Sequence, residues 1–241
     1  MINNRGRCPT IRKPKRGLFI TGTNTDIGKT YVAALIAKSL ASQGCKVGVY
    51  KPVASGCVVK NDTIVSEDAR RLWEAAGRPL DVEAVCPQRF QAALAPHLAA
   101  RSENRQIDSR LLRDGLSAWE NQCDIVLVEG AGGLMSPISD DEFVAELAAE
   151  FGYPLIVVAA NELGTINQTL QTLITAETFS GDLKVAGIVL NDVRAETDDQ
   201  SVTSNRAELE RLAVPPILTH VGFGMTEIVD KVDWLKLADD R

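Results

Sequence analysis

The sequence predicts an α/β fold, a mostly parallel sheet covered by helices on both faces. Three observations lead there. Short apolar runs recur along the 241 residues, and several are continuous rather than alternating, as strands buried on both faces require. Segments with helical periodicity stand between those runs. A loop ending in Gly28-Lys29-Thr30 joins the first run to the first helix, at the carboxyl end of a strand where sheets of this kind bind ligands.

The first strand is Leu18–Thr21. The loop after it reads Gly22-Thr23-Asn24-Thr25-Asp26-Ile27-Gly28-Lys29-Thr30. Gly22 and Gly28 free the backbone for a tight turn whose amides, including those of Asp26, Ile27 and Gly28, can point at phosphate oxygens. Lys29 supplies a positive charge for the terminal phosphates, and the Thr30 hydroxyl suits magnesium. The helix Thr30–Gln43 places Val32, Leu35, Ile36 and Leu40 on one face, and Gly44 stops it. Its positive end faces the same anion. The first glycine sits one residue earlier than in the common form of this loop, with Thr23 in its usual place. Strand, loop and helix in that order make the fold a three-layer sandwich of the P-loop NTPase type.

The remaining strands are Lys46–Tyr50, Asp124–Glu129, Leu155–Ala160, Val185–Leu190 and Ile217–His220. Ser139-Asp140-Asp141-Glu142 reads as a capping box opening a helix that turns Val144, Leu147, Ala148 and Phe151 inward. Gly164–Phe179 is a further helix. The polar stretches 57–65 and 194–204 read as loops. With no repeat or linker, residues 17–241 form one domain.

Composition excludes several classes. The chain carries 26 Lys and Arg against 32 Asp and Glu, net −6. Six of the cations (Arg5, Arg7, Arg12, Lys13, Lys15, Arg16) fall in the first sixteen residues, which hold no acid. The body is therefore more acidic than the whole and unsuited to nucleic acid. Residues 1–16 read as a disordered basic leader without the apolar core of a secretory signal. No apolar stretch is long enough to span a bilayer. Five cysteines, without a Cys-x-x-Cys pair, indicate neither disulfides nor zinc and fit a reducing, cytoplasmic setting.

Polar groups collect where strands end. Lys51 opens Lys51-Pro52-Val53-Ala54-Ser55-Gly56. Glu129 leads into Gly130-Ala131-Gly132-Gly133. Asn161 through Asn167 and Asn191-Asp192 follow two other strands. A carboxylate at Glu129 can complete a magnesium shell opposite Thr30, or simply cap a helix. Lys51 suits stabilisation of transferring phosphoryl charge, or is a solvated loop lysine. Ser55 alone reads as a turn former. From spacing alone Asp68, in Ser66-Glu67-Asp68-Ala69, is a first-turn acid favoured by the helix dipole. The amides of Gly164, Thr165, Ile166 and Asn167 open a helix and can take a carboxylate or be capped in the ordinary way. Asn191 can turn the chain or pair with an adenine edge.

Together these segments resemble dethiobiotin synthetases over about residues 17–193. The resemblance is carried by Gly-Thr-x-Thr-Asp-x-Gly-Lys-Thr at 22–30, Tyr-Lys-Pro-Val-Ala-Ser-Gly at 50–56, Val-Glu-Gly-Ala-Gly-Gly at 128–133, Leu-Gly-Thr-Ile-Asn at 163–167 and Asn-Asp at 191–192. It implies a homodimer with substrate between subunits, and a reaction of ATP, magnesium, carbon dioxide and diaminopelargonic acid that yields dethiobiotin, ADP and phosphate. It implies Thr30, Asp68 and Glu129 as magnesium ligands, which reverses the reading of Asp68. Lys29 and Lys51 become the lysines around carbamate and γ-phosphate, with Thr25 and Ser55 as polar contacts to the carbamate. Gly164–Asn167 becomes the partner-supplied carboxylate site. Asp26, Ile27, Gly28, Gly132 and Asn191 join the nucleotide contacts, Asn191 as the adenine reader. Ala93 and Ala95 stand where the family tends to carry Pro and Ser, and the stretch 219–224 departs from the family's usual Gly-x-Ile-Pro. The competing reading is a partitioning-type ATPase switch, but such loops carry a second lysine near their start, where this chain has Thr23-Asn24-Thr25. A non-catalytic nucleotide-binding domain would not need Lys51, Ser55 and the 163–167 turn together.

Overall fold

The computed structural model describes residues 11–179, 183–213 and 215–239. Six parallel strands form the central sheet: β1 (Gly17–Gly22), β2 (Val47–Tyr50), β3 (Ile125–Gly133), β4 (Leu155–Ala160), β5 (Val185–Asn191) and β6 (Ile217–Val221), in the order β6-β5-β4-β1-β3-β2. The principal helices are α1 (Lys29–Ser42), α2 (Glu67–Ala75), α3 (Val144–Phe151), α4 (Thr165–Thr178), α5 (Asn205–Leu212) and α6 (Trp234–Asp239). Every strand read from the sequence is present within a few residues, β3 extending past Glu129 through the glycines to Gly133.

The continuous apolar runs have the expected cause. In β4 and β5, Val157, Ala159, Ile188 and Leu190 pack against Leu209 of α5 and Ile166 and Leu173 of α4. Their neighbours Ile156, Val158, Ala160 and Val189 belong to the main core, with Trp234 of α6. Both faces are covered, so no position along these strands favours a polar side chain. α1 ends as predicted, with Gly44 beyond it at φ +86°.

Two local readings need correction. Residues 57–65 are not a loop: Val58–Lys60 and Thr63–Val65 form an antiparallel hairpin. Asn61 and Asp62 sit at φ +48° and +58°, the left-handed pair of a two-residue turn that Asn and Asp tolerate. The stretch's polar composition concealed the pairing. The capping box at 139–142 does not open a helix either. α3 begins at Val144, and Glu146 reaches back to the Phe143 amide at 2.7 Å. Glu142 is drawn instead to buried Arg113, whose Nη2 lies 2.6 Å from its Oε1, and accepts from Ser109 Oγ at 2.8 Å. A buried guanidinium outcompetes a local cap for the carboxylate.

Of the basic leader, residues 1–10 lie outside the described residues. Residues 11–16 run against the body: Tyr153 Oη donates to the Pro14 carbonyl at 2.7 Å, Lys13 donates to the Phe151 carbonyl, and Arg16 pairs with Asp239 at 2.5 Å.

Candidate active site

The register of the sheet builds the site. In the parallel pairing of β2 with β3, Tyr50 lies opposite Val128, so the next residue of each chain segment, Lys51 and Glu129, emerge side by side at the carboxyl edge. On the other side of β3, Ile20 of β1 pairs with Glu129, which brings the loop at 22–30 to the same edge. The Lys51 ammonium lies 2.5 Å from Glu129 Oε1 and 3.0 Å from Asp68 Oδ2. Thr30 Oγ1 donates to Glu129 Oε1 at 2.7 Å. Asp68 arrives from the first turn of α2, whose N-cap Ser66 accepts from the Ala69 amide at 3.2 Å. Thr30, Lys51, Asp68 and Glu129 are thus brought together from four separate elements.

Electrostatics follow from this packing. Burial opposes the charge on Lys51, yet the Glu129 and Asp68 carboxylates hold its pKa above the ordinary lysine value. Burial likewise opposes ionisation of Asp68, but Lys51, Thr30 and Arg71 keep its carboxyl below the usual range. Lys29 is different. Burial lowers it to about 8, and the neighbouring Lys51 charge adds to that effect while Glu129 opposes it. Its ammonium folds back onto the Asn24 carbonyl at 2.7 Å.

A cleft of about 360 Å³ opens over these groups, lined by Thr25, Asp26, Gly28, Lys29, Thr30 and Gly132 among others. A second cavity of about 550 Å³ adjoins it and shares Thr25, Asp26, Ser55, Asp68 and Gly132. The second is otherwise walled by Cys57, Ala93–Pro96 and Ser136-Pro137. Gly132 has φ +77°, and a Cβ there would strike Ser136 Oγ. The Ile27 side chain is core, so only its backbone is available to the loop.

Asn191 lines neither of these cavities. Its Nδ2 donates to the Ile27 carbonyl at 2.9 Å, bracing the loop from behind, and its Oδ1 is buried without a hydrogen-bond partner among the described residues. A Cβ on Gly28 would collide with that amide. Gly164, Thr165, Ile166 and Asn167 also line neither cavity. Gly164, at φ +99°, is the N-cap of α4, and the Thr165 amide donates back to the Glu162 carbonyl at 3.1 Å. Within one chain the turn at 164–167 therefore shares no cavity with Lys51 and Ser55.

The sequence reading missed Tyr31, Arg71 and Ser136 in the walls of the two cavities. A signal existed for Arg71: it stands three residues after Asp68, which puts the two on one helix face. Tyr31 follows Thr30 directly and Ser136 lies in a stretch without periodicity, so neither was marked.

Magnesium fits the donors present. Thr30, Asp68 and Glu129 offer hard oxygens, and Glu129 Oε2 is buried without a hydrogen-bond partner among the described residues, an acceptor awaiting a cation or water.

A family model described as an AAA domain matches residues 16–223. A protein of Rhodopirellula baltica named ATP-dependent dethiobiotin synthetase BioD is 42% identical over 214 residues, covering 84% of this chain and 82% of its own. Proteins of the same name from Anaeromyxobacter dehalogenans and Bacillus cereus are 43% and 38% identical, covering 82% and 84% of this chain and 85% and 81% of their own. A crystal structure of a ParA family ATPase from Chlorobium tepidum superposes with a TM-score of 0.53 at 20% identity over 87% of this chain and 84% of that one, a likeness of fold.

Proposed function

This chain belongs to the ATP-dependent dethiobiotin synthetases, and from that premise we propose how its residues divide the work. The reaction closes 7,8-diaminopelargonic acid with carbon dioxide into dethiobiotin, at the expense of ATP, in biotin biosynthesis. One observation carries the assignment of roles: the phosphate-loop cleft adjoins a second cavity, with Thr25, Ser55, Asp68 and Gly132 lining both. A phosphoryl donor in one can meet an organic acceptor in the other.

A substrate amine captures carbon dioxide as a carbamate and releases a proton. A carbamate oxygen attacks the γ-phosphorus, the bond to the β–γ bridging oxygen breaks, and ADP leaves. The second amine then attacks the carbamoyl carbon of the mixed anhydride, closes the cyclic urea and expels phosphate. No enzyme nucleophile is needed, so positioning and electrostatics supply the rate. Lys29 leaves the Asn24 carbonyl for the terminal phosphate oxygens. Lys51, fixed by two carboxylates, sits where carbamate and γ-phosphate meet, and Thr25 and Ser55 orient the carbamate. The amides of Asp26, Ile27, Gly28 and Gly132 hold phosphate, and Asn191 Oδ1 is the free acceptor for the adenine amino group. Thr30, Asp68 and Glu129 would hold magnesium, which when bound neutralises charge on the phosphate oxygens. No helix among the described residues is long and apolar enough to cross a membrane.

The defining test is coupling. ATP consumption by the purified protein should require both diaminopelargonic acid and carbon dioxide, with dethiobiotin appearing in step with ADP. Turnover indifferent to the diamine would instead favour a switch ATPase.

Because Gly164–Asn167 stands apart from Ser55 within one chain, we propose that a partner subunit completes each site. Asn167→Ala should weaken diaminopelargonic acid binding about ten-fold, the loss of one or two hydrogen bonds to a charged group, and leave ATP affinity alone. Lys29→Gln subunits mixed with Asn167→Ala subunits should regain activity, since one site of each mixed dimer carries neither lesion. Subunit exchange without recovered turnover would mean that each chain works alone.

Lys29 predicts a pH effect. A bound triphosphate raises the pKa of a lysine that sits near 8 in the free protein. ATP binding should therefore take up roughly one proton at pH between about 8 and 10 and much less at pH 7, and affinity should fall as pH rises above about 8. Calorimetry in buffers of different ionisation enthalpy measures the uptake. Lys29→Gln should abolish it, and uptake persisting in that variant would assign the proton elsewhere.

A further inference from the structure

Two consecutive arginines on α2 meet different fates. Arg70 is committed along its own helix: it hydrogen-bonds Glu67 Oε2 at 2.5 Å through Nη2 and lies 3.5 Å from Glu74 Oε1. Arg71 is rotated about 100° from it around the helix. It lines the nucleotide cleft together with Lys29, Thr30, Lys51 and Glu129. Yet it forms no hydrogen bond or ion pair with any described residue. The nearest acid on its helix face, Asp68, is paired with Lys51. Arg71 still acts on the groups of the cleft at a distance: burial raises the Tyr31 pKa and the Arg71 charge opposes that rise, and the same charge helps to hold the Asp68 carboxyl below its usual range.

The supply of positive charge in this cleft is otherwise small. Lys51 is neutralised by two carboxylates. Lys29 carries its charge against the cost of burial. A triphosphate is strongly anionic, and the acids Asp26, Asp68 and Glu129 share its cavity. An arginine without a paired counterion among the described residues, presenting at the same cavity a planar fork of donors that matches two phosphate oxygens, is suited to offset that charge. Arg71 lines the nucleotide cleft and not the adjoining 550 Å³ cavity, which separates it from the organic substrate.

We propose that Arg71 is a phosphate-binding residue of the nucleotide site, its guanidinium folding from α2 onto non-bridging oxygens of the ATP triphosphate. The proposal rests on reading this cleft as the ATP site. It adds a contact from an element outside the phosphate loop, so that nucleotide binding draws α2, and Asp68 with it, toward the phosphates.

The test is equilibrium binding of ATP, ADP and AMP to the full-length protein and its Arg71→Ala and Arg71→Lys variants, alongside steady-state kinetics. Arg71→Ala should weaken ATP at least ten-fold and ADP less, and leave AMP unchanged. Arg71→Lys should restore only part of the ATP affinity, because a point charge cannot make the paired contact. The KM for diaminopelargonic acid should stay at its wild-type value in both. Wild-type ATP affinity in Arg71→Ala would overturn the proposal. So would an equal loss for AMP, or a change confined to the diamine KM. Should the wild-type protein bind ATP but fail to make dethiobiotin, the synthetase reading fails while the nucleotide series still decides the role of Arg71.

Discussion

Lys29→Gln should lower dethiobiotin formation by roughly two to four orders of magnitude while leaving the protein folded and no less stable. The two halves of that expectation have one cause. Lys29 is only 7% exposed, and burial lowers its pKa from the ordinary lysine value to about 8. A base whose folded-state pKa is lowered binds its proton less readily in the fold than in the unfolded chain. At neutral pH its charge therefore costs the folded state on the order of 3 kcal/mol, a cost that disappears as pH rises past the unfolded lysine value. Such a residue weakens the fold for the sake of the anion it awaits. Glutamine keeps a donor for the Asn24 carbonyl and removes the charge. Thermal unfolding of the variant should match or exceed that of the parent at pH 7, and the difference should vanish by about pH 11. A folded Lys29→Gln protein with near-normal turnover would sink the assignment of this loop to phosphoryl transfer.

Glu129→Gln should act in the opposite sense on stability. Glu129 is 2% exposed and holds both the Lys51 ammonium and the Thr30 hydroxyl on a single oxygen. Its removal leaves a buried lysine with Asp68 as its one remaining carboxylate. Breaking one side of a buried pair costs about 3–5 kcal/mol, and the retained Asp68 contact puts this case near 3. The midpoint of urea unfolding should fall at constant m-value. Turnover should drop about a hundred-fold or more, since the proposed metal site loses a ligand and Lys51 its anchor. Adding Lys51→Met should recover much of the stability, because the uncompensated charge is then gone, and none of the activity. An unchanged unfolding midpoint in Glu129→Gln alone would show that Lys51 does not depend on this carboxylate.

These two residues also mark the boundary between local and long-range information. The loop at 22–30 announced itself because all of its parts lie within nine consecutive residues between a strand and a helix. The six strands of the sheet were legible because burial on both faces writes an unbroken apolar run into the chain. The family motifs at 50–56 and 128–133 marked Lys51 and Glu129 singly. Nothing in either motif states that they touch. That contact spans 78 positions and exists because β2 lies beside β3 with Tyr50 opposite Val128.

Local reading failed where a distant group won a local competition. The acids at 139–142 have the form of a cap, but Arg113 in a different helix takes Glu142, and α3 starts later. At 57–65 the polar residues are those that allow the left-handed turn of a hairpin, so composition hid a structure that backbone conformation made. Arg71 went unmarked beside Arg70 because the sequence does not say which of two adjacent arginines faces a cleft.

The sequence alone determined the order of the six sheet strands along the chain, the phosphate loop and the set of polar groups at strand ends, since each depends on near neighbours and on the two periodicities of regular backbone. The tertiary structure alone decided which of those groups meet, which lysine is neutralised and which bears an opposed charge, and that the turn at 164–167 shares no cavity with Ser55 within one chain. Strand order and register set those relations, and both arise from packing that no single segment contains.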